Sequence, residues 1–483
     1  MGILKKQAFS GIKWIFALNI AQKAVSFGTT IILARILQPA DFGLFALAFV
    51  LIDALGLFKS LGVDYALIRR KEDAGFDRAA NTAFILIPIF GTFLFLILYI
   101  IAPWGAKFLG NNSLTAVVRI LGLIFIIGCF GRVPDAILNR NMRFREKSIA
   151  EIIGGLTYSL CAVILAFFGF GIWSLVVGYV LQVFIQIGSY WYFAKWRPKF
   201  EFDKKIAMEM LHYGKYIIAG SLIGFIRSNL DNLIVGKLLG VAQLGFYAMA
   251  FSLANFSSDY LISKFSRVLF PAFSKMQHDK EYFGEVFLRV SKYIAIIAVP
   301  FGVGLFLLGP VFLKVMYGDK WLAAIDILKI LAIAAIFKAL NSAVGPAILA
   351  GGKSKLDFYL NALQAALFLI LLIPGVRYFR ILGAGYAVML SAIITYIVSL
   401  WRIRRVLDYT FPKLLDSFKP AVLSALLMSL IIITLGAALT HNGAFNIFSL
   451  IMTIFISGSA YVLSLIMLDK LILKEFKEAV LQR

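Results

Sequence analysis

The chain has 483 residues, 61% of them hydrophobic and only 15% charged, with 48 Lys and Arg against 25 Asp and Glu. Soluble domains carry roughly 45–50% apolar and about 25% charged residues, so this composition excludes a string of soluble domains; disorder is excluded as well, because it needs low hydrophobicity. The net charge of +23 would point to nucleic acid in a soluble protein, but at a mean hydropathy of +0.89 it points to the Lys/Arg bias of cytoplasmic membrane loops.

A helix that crosses about 30 Å of hydrocarbon needs about 20 apolar residues. Fourteen such runs follow in chain order: 12–36, 42–62, 79–102, 115–134, 149–168, 172–194, 213–236, 242–263, 287–309, 323–346, 356–374, 383–403, 420–440 and 446–468. The expected fold is an all-α integral membrane protein of about 14 transmembrane helices. A β-barrel does not fit, since barrel strands alternate apolar and polar residues and runs such as Ala83–Ile101 are apolar on every face. Backbone groups in lipid must pair within the segment, which makes these runs helices. Lys5 and Lys6 lead into the first run with no small-residue cleavage site, so that run is expected to be retained as a helix.

Charge sets the expected topology. With both termini in the cytoplasm, 36 of the 48 basic residues fall on the inner side, eight on the outer side and four well inside spans. That asymmetry follows the positive-inside rule and supports an even helix count. The basic inner loops include Arg69–Lys71, Arg140–Lys147, Lys195–Lys205 and Arg402–Arg405. The outer connections are short, as at 37–41 and 103–114, which argues against membrane glycan polymerases and glycosyltransferases with large external loops.

Several chemistries find no support. Cys129 and Cys161 lie in apolar runs, and His212, His278 and His441 are scattered, so no disulfide framework or metal site is expected. Gly352-Lys353-Ser354 mimics the end of a P-loop, but Ala347 stands where the first glycine belongs and an apolar helix, not a strand, precedes it. No cofactor, nucleotide or nucleic acid is expected, and any transport would be secondary.

The chain repeats itself. Arg35–Phe49 and Lys237–Phe251 match at six of fifteen positions at an offset of 202. Val118-Arg119-Ile120-Leu121 echoes Leu328-Lys329-Ile330-Leu331 at 210, Ala136-Ile137-Leu138 echoes Ala347-Ile348-Leu349 at 211, and Gly169-Phe170-Gly171 echoes Gly383-Ala384-Gly385 at 214. The repeat maps span 1 onto 7, 2 onto 8, 4 onto 10 and 6 onto 12. Six spans per copy insert both copies in the same direction. Two parallel six-helix bundles related by a pseudo-two-fold axis along the membrane normal are therefore expected, a transporter architecture. The expected division is 1–205 for the first bundle, 206–415 for the second, and 416–483 for two extra helices and a cytoplasmic tail.

Ile32-Leu33-Ala34-Arg35-Ile36-Leu37, Pro39 and Asp41-Phe42-Gly43, then Leu61-Gly62 and Ala66-Leu67-Ile68-Arg69-Arg70, then Asn229 through Gly240 and Leu244-Gly245-Phe246-Tyr247 resemble, in order, the signatures of polysaccharide flippases. These belong to the multidrug/oligosaccharidyl-lipid/polysaccharide exporter superfamily, and the resemblance runs over nearly the whole chain. It implies a bacterial inner-membrane protein that carries undecaprenyl-pyrophosphate-linked oligosaccharide from the cytoplasmic to the outer leaflet for exopolysaccharide, capsule or O-antigen synthesis. It also implies a monomer working alongside glycosyltransferases and a glycan polymerase. A multidrug or organic-cation exporter of the same superfamily is the first alternative, and a glycan polymerase or glycosyltransferase the second.

An ionisable group at mid-bilayer costs about 2.5–3.5 kcal/mol on insertion scales, so such groups mark interiors or wet cavities. Lys23 shares one face of span 1 with Asn19, Gln22, Ser26 and Thr30, and Arg227 lies beside the Ser221, Gly224, Ser228 and Asp231 stripe of span 7. As repeat mates on opposite walls, Lys23 and Arg227 suit a pyrophosphate. Lys338, with Asn341, Ser342 and Gly345 at helical spacing, is the third candidate. Asp53, whose repeat mate is Asn255, and Asp231 either neutralise a cation, carry a coupling proton, or form structural ion pairs with Lys23 or Arg227. Arg119 and Lys329 read as outer-interface residues that snorkel, and the Tyr179, Gln182, Gln186 and Ser189 stripe as helix–helix packing.

Overall fold

The computed structural model describes residues 22–58, 67, 75–256, 263–441 and 446–469, without the side chains at 211, 213–223, 226–227, 263–268 and 440–441. Among these residues there is no strand. Helix α1 covers residues 22–36 and is followed by α2 (Pro39–Gly56), α3 (Phe76–Leu109), α4 (Ser113–Phe130), α5 (Arg132–Arg140), α6 (Phe144–Phe167), α7 (Ile172–Ala194) and α8 (Lys204–Leu239). Then come α9 (Val241–Phe256), α10 (Ser263–Ser274), α11 (Lys280–Phe312), α12 (Ile325–Asn341), α13 (Val344–Ala350), α14 (Ser354–Ile403), α15 (Phe411–His441) and α16 (Ile447–Leu468).

Nine helices among the described residues are long and apolar enough to cross a membrane, which makes this a multi-pass membrane protein. The tally differs from the fourteen expected runs for local reasons. Helix α9 is described for only 16 residues and α12 has 17. The first run begins outside the described residues, and α8, which carries the run 213–236, is not among the nine; its side chains at 213–223 and 226–227 lie outside the described residues. Helix α14 counts once, yet it holds two expected runs separated by a break at Arg380 (φ 54°, ψ −134°). Eight residues along a straight helix would span about 12 Å, whereas a Cβ added at Gly383 would lie 1.8 Å from the Gly375 carbonyl oxygen. The chain therefore doubles back at Arg380, and α14 is two antiparallel arms.

The chain divides into two compact units, Met1–Gly245 and Phe246–Arg483. Within the first, α6 packs along α7, α3 along α4, and α8 against α2 and α3. Within the second, α11 packs on α12 and α15, α12 on α14, and α15 on α16. Small residues let these helices approach closely, the usual solution where lipid removes the hydrophobic drive between helices. A Cβ at Gly91 would meet Cys129 Sγ at 2.1 Å, which also gives that buried thiol a packing role.

The ends of the helices follow the sequence closely. Asp203 caps α8 by accepting from the Lys205 and Ile206 amides at 2.9 and 3.2 Å, and Asn446 forms a capping box with Ser449 on α16. The segment between α7 and α8 is fastened to α3: Lys199 N donates to Asn81 Oδ1 at 2.9 Å and Asp203 N to Thr82 Oγ1 at 3.1 Å. Gly352-Lys353-Ser354 is the turn from α13 into α14, with Gly352 at φ 72°, and no strand precedes it.

The first unit also holds a reciprocal contact. A Cβ at Gly43 would sit 1.7 Å from the Val241 carbonyl oxygen, and a Cβ at Gly245 would sit 1.8 Å from the Pro39 carbonyl oxygen. Pro39 and Val241 are 202 residues apart, as are Gly43 and Gly245. Each member of one pair thus touches the opposite member of the other, the pattern that a two-fold axis produces.

Candidate functional site

The five residues singled out by charge fall into different surroundings. Lys23 is half-buried on α1, whose first described turn leans on α6: Gln22 Nε2 donates to the Glu151 carbonyl at 3.2 Å and lies over Gly155. The Lys23 and Lys147 charges both act on the Glu151 carboxylate. Glu151 was not among the expected residues. Its signal was a lone acid three residues into span 5, just after the basic Arg140–Lys147 loop.

Asp53 is exposed on α2 and acts electrostatically on Tyr179 of α7. Tyr179 in turn packs edge-on against Phe49 with centroids 4.9 Å apart. Asp231 is buried at 4% exposure on α8, where its Oδ1 accepts from the Asn232 amide at 2.9 Å. Arg227 lies on α8, with its side chain outside the described residues.

Lys338, on α12 in the second unit, is the most completely described. Its Nζ donates to Asn255 Oδ1 at 2.7 Å and lies 5.5 Å from the centroid of the Phe251 ring. Asn255 is buried at 5% exposure and is itself fixed, its Nδ2 donating to the Phe251 carbonyl at 2.9 Å. The amide that holds Lys338 is therefore the repeat mate of Asp53. Lys338 is an exposed residue whose ammonium is anchored on Asn255, which suits a group that meets a charged ligand.

The other polar residues noted in the spans have the following neighbours. Arg119 Nε donates to the Tyr99 carbonyl at 3.2 Å and its guanidinium lies 4.0 Å from the Tyr99 ring centroid. Lys329 Nζ lies 6.0 Å from the Phe306 ring centroid. In the α7 stripe, Gln182 and Gln186 close over Gly154 of α6, while Gln186 donates to Tyr190 Oη at 2.7 Å. A cavity of about 720 Å³ opens between α4, α6 and α7, lined by residues such as Ile127, Phe130, Ile153, Phe184 and Tyr192. It contains none of the candidate charges and faces the apolar side of the helices. Among the described residues no three His, Cys, Asp or Glu side chains group as metal ligands.

Residues 32–326 match the family described as polysaccharide biosynthesis protein. The chain is 27% identical over 368 residues to the teichuronic acid biosynthesis protein TuaB of Bacillus subtilis, covering 76% of each chain. It is 26% identical over 447 residues to the succinoglycan biosynthesis transport protein ExoT of Rhizobium meliloti, covering 91% of this chain and 88% of the relative. Its fold is similar to the solved structure of lipid II flippase MurJ in an inward closed conformation, with a TM-score of 0.76 and 15% identity over 95% of this chain and 99% of that one.

Proposed function

Because the chain belongs to the polysaccharide biosynthesis protein family, we propose that it is a flippase, a secondary transporter that moves a lipid-linked oligosaccharide from the cytoplasmic to the outer leaflet. The observation that carries this reading is the combination of a family match over residues 32–326 with a fold shared, nearly end to end, with a lipid II flippase. The relative named as a succinoglycan transport protein supports transport over an enzymatic role.

The finer reading is that of the sequence. The chain has fourteen crossings in two six-helix halves, 1–205 and 206–415, followed by two further helices over 416–483. Both termini lie in the cytoplasm of a bacterial inner membrane. The reciprocal contact of Gly43 with Val241 and of Gly245 with Pro39 supports the two-fold relation. The substrate is an undecaprenyl-pyrophosphate-linked repeat unit. Lys23, Arg227 and Lys338 contact its pyrophosphate, Arg227 by its fork and the lysines as point charges. Asp53 and Asp231 balance these charges. The cell interior is negative, so each negative charge carried outward is favoured by about 2.3 kcal/mol per 100 mV.

The test is export of a fluorescent pyrophosphate-linked oligosaccharide in proteoliposomes under imposed potential. Export should occur with wild type and fall with Lys23→Ala and with Arg227→Ala at equal amounts of folded protein. Normal export by both variants would remove the pyrophosphate assignment, and no export by wild type would remove the flippase reading.

A further inference from the structure

The second unit contains a small polar cavity of about 170 Å³ where α12, α13 and both arms of α14 meet. Its lining includes Asn341, Asp357, Asn361, Gln364, Thr395 and Ser399. Together with Ser342 these make seven of the twelve lining residues oxygen-bearing in their side chains, an unusual concentration in a chain that is 61% hydrophobic.

The carboxylate is Asp357, in the first turn of α14. One of its oxygens, Oδ2, accepts from Asn361 Nδ2 at 3.1 Å. The other, Oδ1, is turned to α13, 3.3 Å from where a Cβ on Gly345 would stand. Lys353 and Lys355 are four and two residues away, yet among the described residues neither pairs with Asp357, whose side-chain hydrogen-bond partner is Asn361. Two further oxygens are orphaned: Thr395 Oγ1, on a residue only 1% exposed, and Asn341 Oδ1 are both buried and have no hydrogen-bond partner within the protein. A buried polar atom left unsatisfied costs about 1–3 kcal/mol. Two of them in one cavity with a carboxylate therefore point to a ligand.

The donor set defines the ligand. Carboxylate, amide and hydroxyl oxygens are hard ligands, and the cavity has no thiol or imidazole, which argues against soft metals and the transition metals that favour nitrogen or sulfur. One carboxylate among neutral oxygens offers a single negative charge. Calcium sites use several carboxylates among six to eight oxygens, and magnesium demands near-ideal octahedral geometry with several retained waters. A water cluster could bridge the orphaned atoms but leaves the Asp357 charge uncompensated.

We propose that this cavity binds a hard monovalent cation of the sodium or potassium type, with Asp357 supplying the charge and Asn341 Oδ1 and Thr395 Oγ1 the neutral donors. The ion ties the α12–α13 junction to both arms of α14. The proposal stands on the cavity alone and does not rest on the flippase reading.

The test uses the purified full chain in detergent, exchanged into choline chloride. Binding of radiolabelled sodium at equilibrium, with potassium as competitor, is measured alongside the melting temperature in sodium, potassium and choline chloride at matched ionic strength. Saturable binding, and stabilisation by sodium or potassium over choline, are expected. Asp357→Asn keeps the shape and removes the charge, and Thr395→Val removes a donor. Each should weaken binding by about tenfold or more while melting like wild type in choline. Equal melting of wild type in all three salts without saturable binding would overturn the proposal and leave a water-filled cavity. So would sodium binding that survives both substitutions. The wild-type measurement decides even if a variant fails to fold, and because no transport is read, failure here leaves the flippase reading untouched.

Discussion

Gly43→Ala puts the packing argument at its most exposed. The added Cβ would lie 1.7 Å from the Val241 carbonyl oxygen, 2.7 Å from the carbonyl carbon and 2.8 Å from the Gly245 amide nitrogen. Carbon and carbonyl oxygen approach to about 3.3 Å at closest, so the two backbones must part by about 1.5 Å. No rotamer change can absorb this, because the obstruction is backbone. Overpacking costs typically about 1–3 kcal/mol, and a rigid neighbour places this case toward the upper end. Replacing a helical glycine by alanine would otherwise gain about 0.5–1 kcal/mol, so a net loss of about 2 kcal/mol is expected. Gly245→Ala should cost a similar amount, since its Cβ meets the Pro39 carbonyl in the reciprocal way. The double variant should cost less than the two together, because one separation makes room for both. The assay is thermal unfolding of the purified protein in detergent, with Gly188→Ala and Gly458→Ala as controls; at both control positions the new Cβ would meet nothing within 4 Å. Gly43→Ala melting level with these controls would refute the close crossing, and strict additivity would refute its reciprocity.

Three further outcomes follow from particular side chains. Lys338→Gln should lower glycan export at unchanged protein level, because the amide can still reach Asn255 Oδ1 but carries no charge; normal export in proteoliposomes would remove Lys338 from the site. Arg380 holds φ 54° and ψ −134°, a region costly for any side chain, so Arg380→Gly should raise the melting temperature and stabilise by about 1 kcal/mol. Tyr409 Oη donates to the Leu400 carbonyl at 2.6 Å in a buried setting, and Tyr409→Phe should destabilise by about 1 kcal/mol in the same assay. Burial pushes the Tyr409 phenol up, so its stabilisation is full below the ordinary phenol value of about 10 and is lost as the pH climbs through that value toward the raised one; melting curves of the Phe variant should lack this decline.

Apolar runs made the long helices legible, because length and hydrophobicity are what a bilayer demands. The short helices were not, because their apolar faces are only a turn or two long. Val133, Ala136, Ile137 and Leu138 are buried on α5, and Val344, Ala347 and Ile348 on α13. The sequence echo of Ala136-Ile137-Leu138 with Ala347-Ile348-Leu349 therefore marks the same device, a short helix after the fourth and tenth spans. The echo at offset 214 fares differently. Gly171 enters α7 at φ 54°, ψ −130°, nearly the conformation of Arg380 before the second arm of α14, an offset of 209. Gly383 and Gly385 sit inside that arm, where Gly385 faces Ile327 and Gly383 faces Gly375. Their glycines serve close helix packing and not the turn, so the matching letters carried different physics.

The same distinction governs the candidate site. Lys338, Asn341, Ser342 and Gly345 read as one polar stripe at helical spacing, and on an unbroken helix they would share a face. The helix breaks instead, α12 ending at Asn341 and α13 starting at Val344. Lys338 then turns to Asn255 of α9, while Asn341, Ser342 and Gly345 line one cavity with Asp357 and Thr395 of α14. A search for charges in mid-span finds Lys338 because an isolated cation there is costly. It passes over Asp357, which lies at the start of a span where acids are ordinary, and over Thr395, whose hydroxyl any helix can satisfy through its own carbonyl. Thr395 does not take that option. Only coordinates can show an orphaned hydroxyl, and a hydroxyl orphaned beside a carboxylate is what separates a binding cavity from a packing defect.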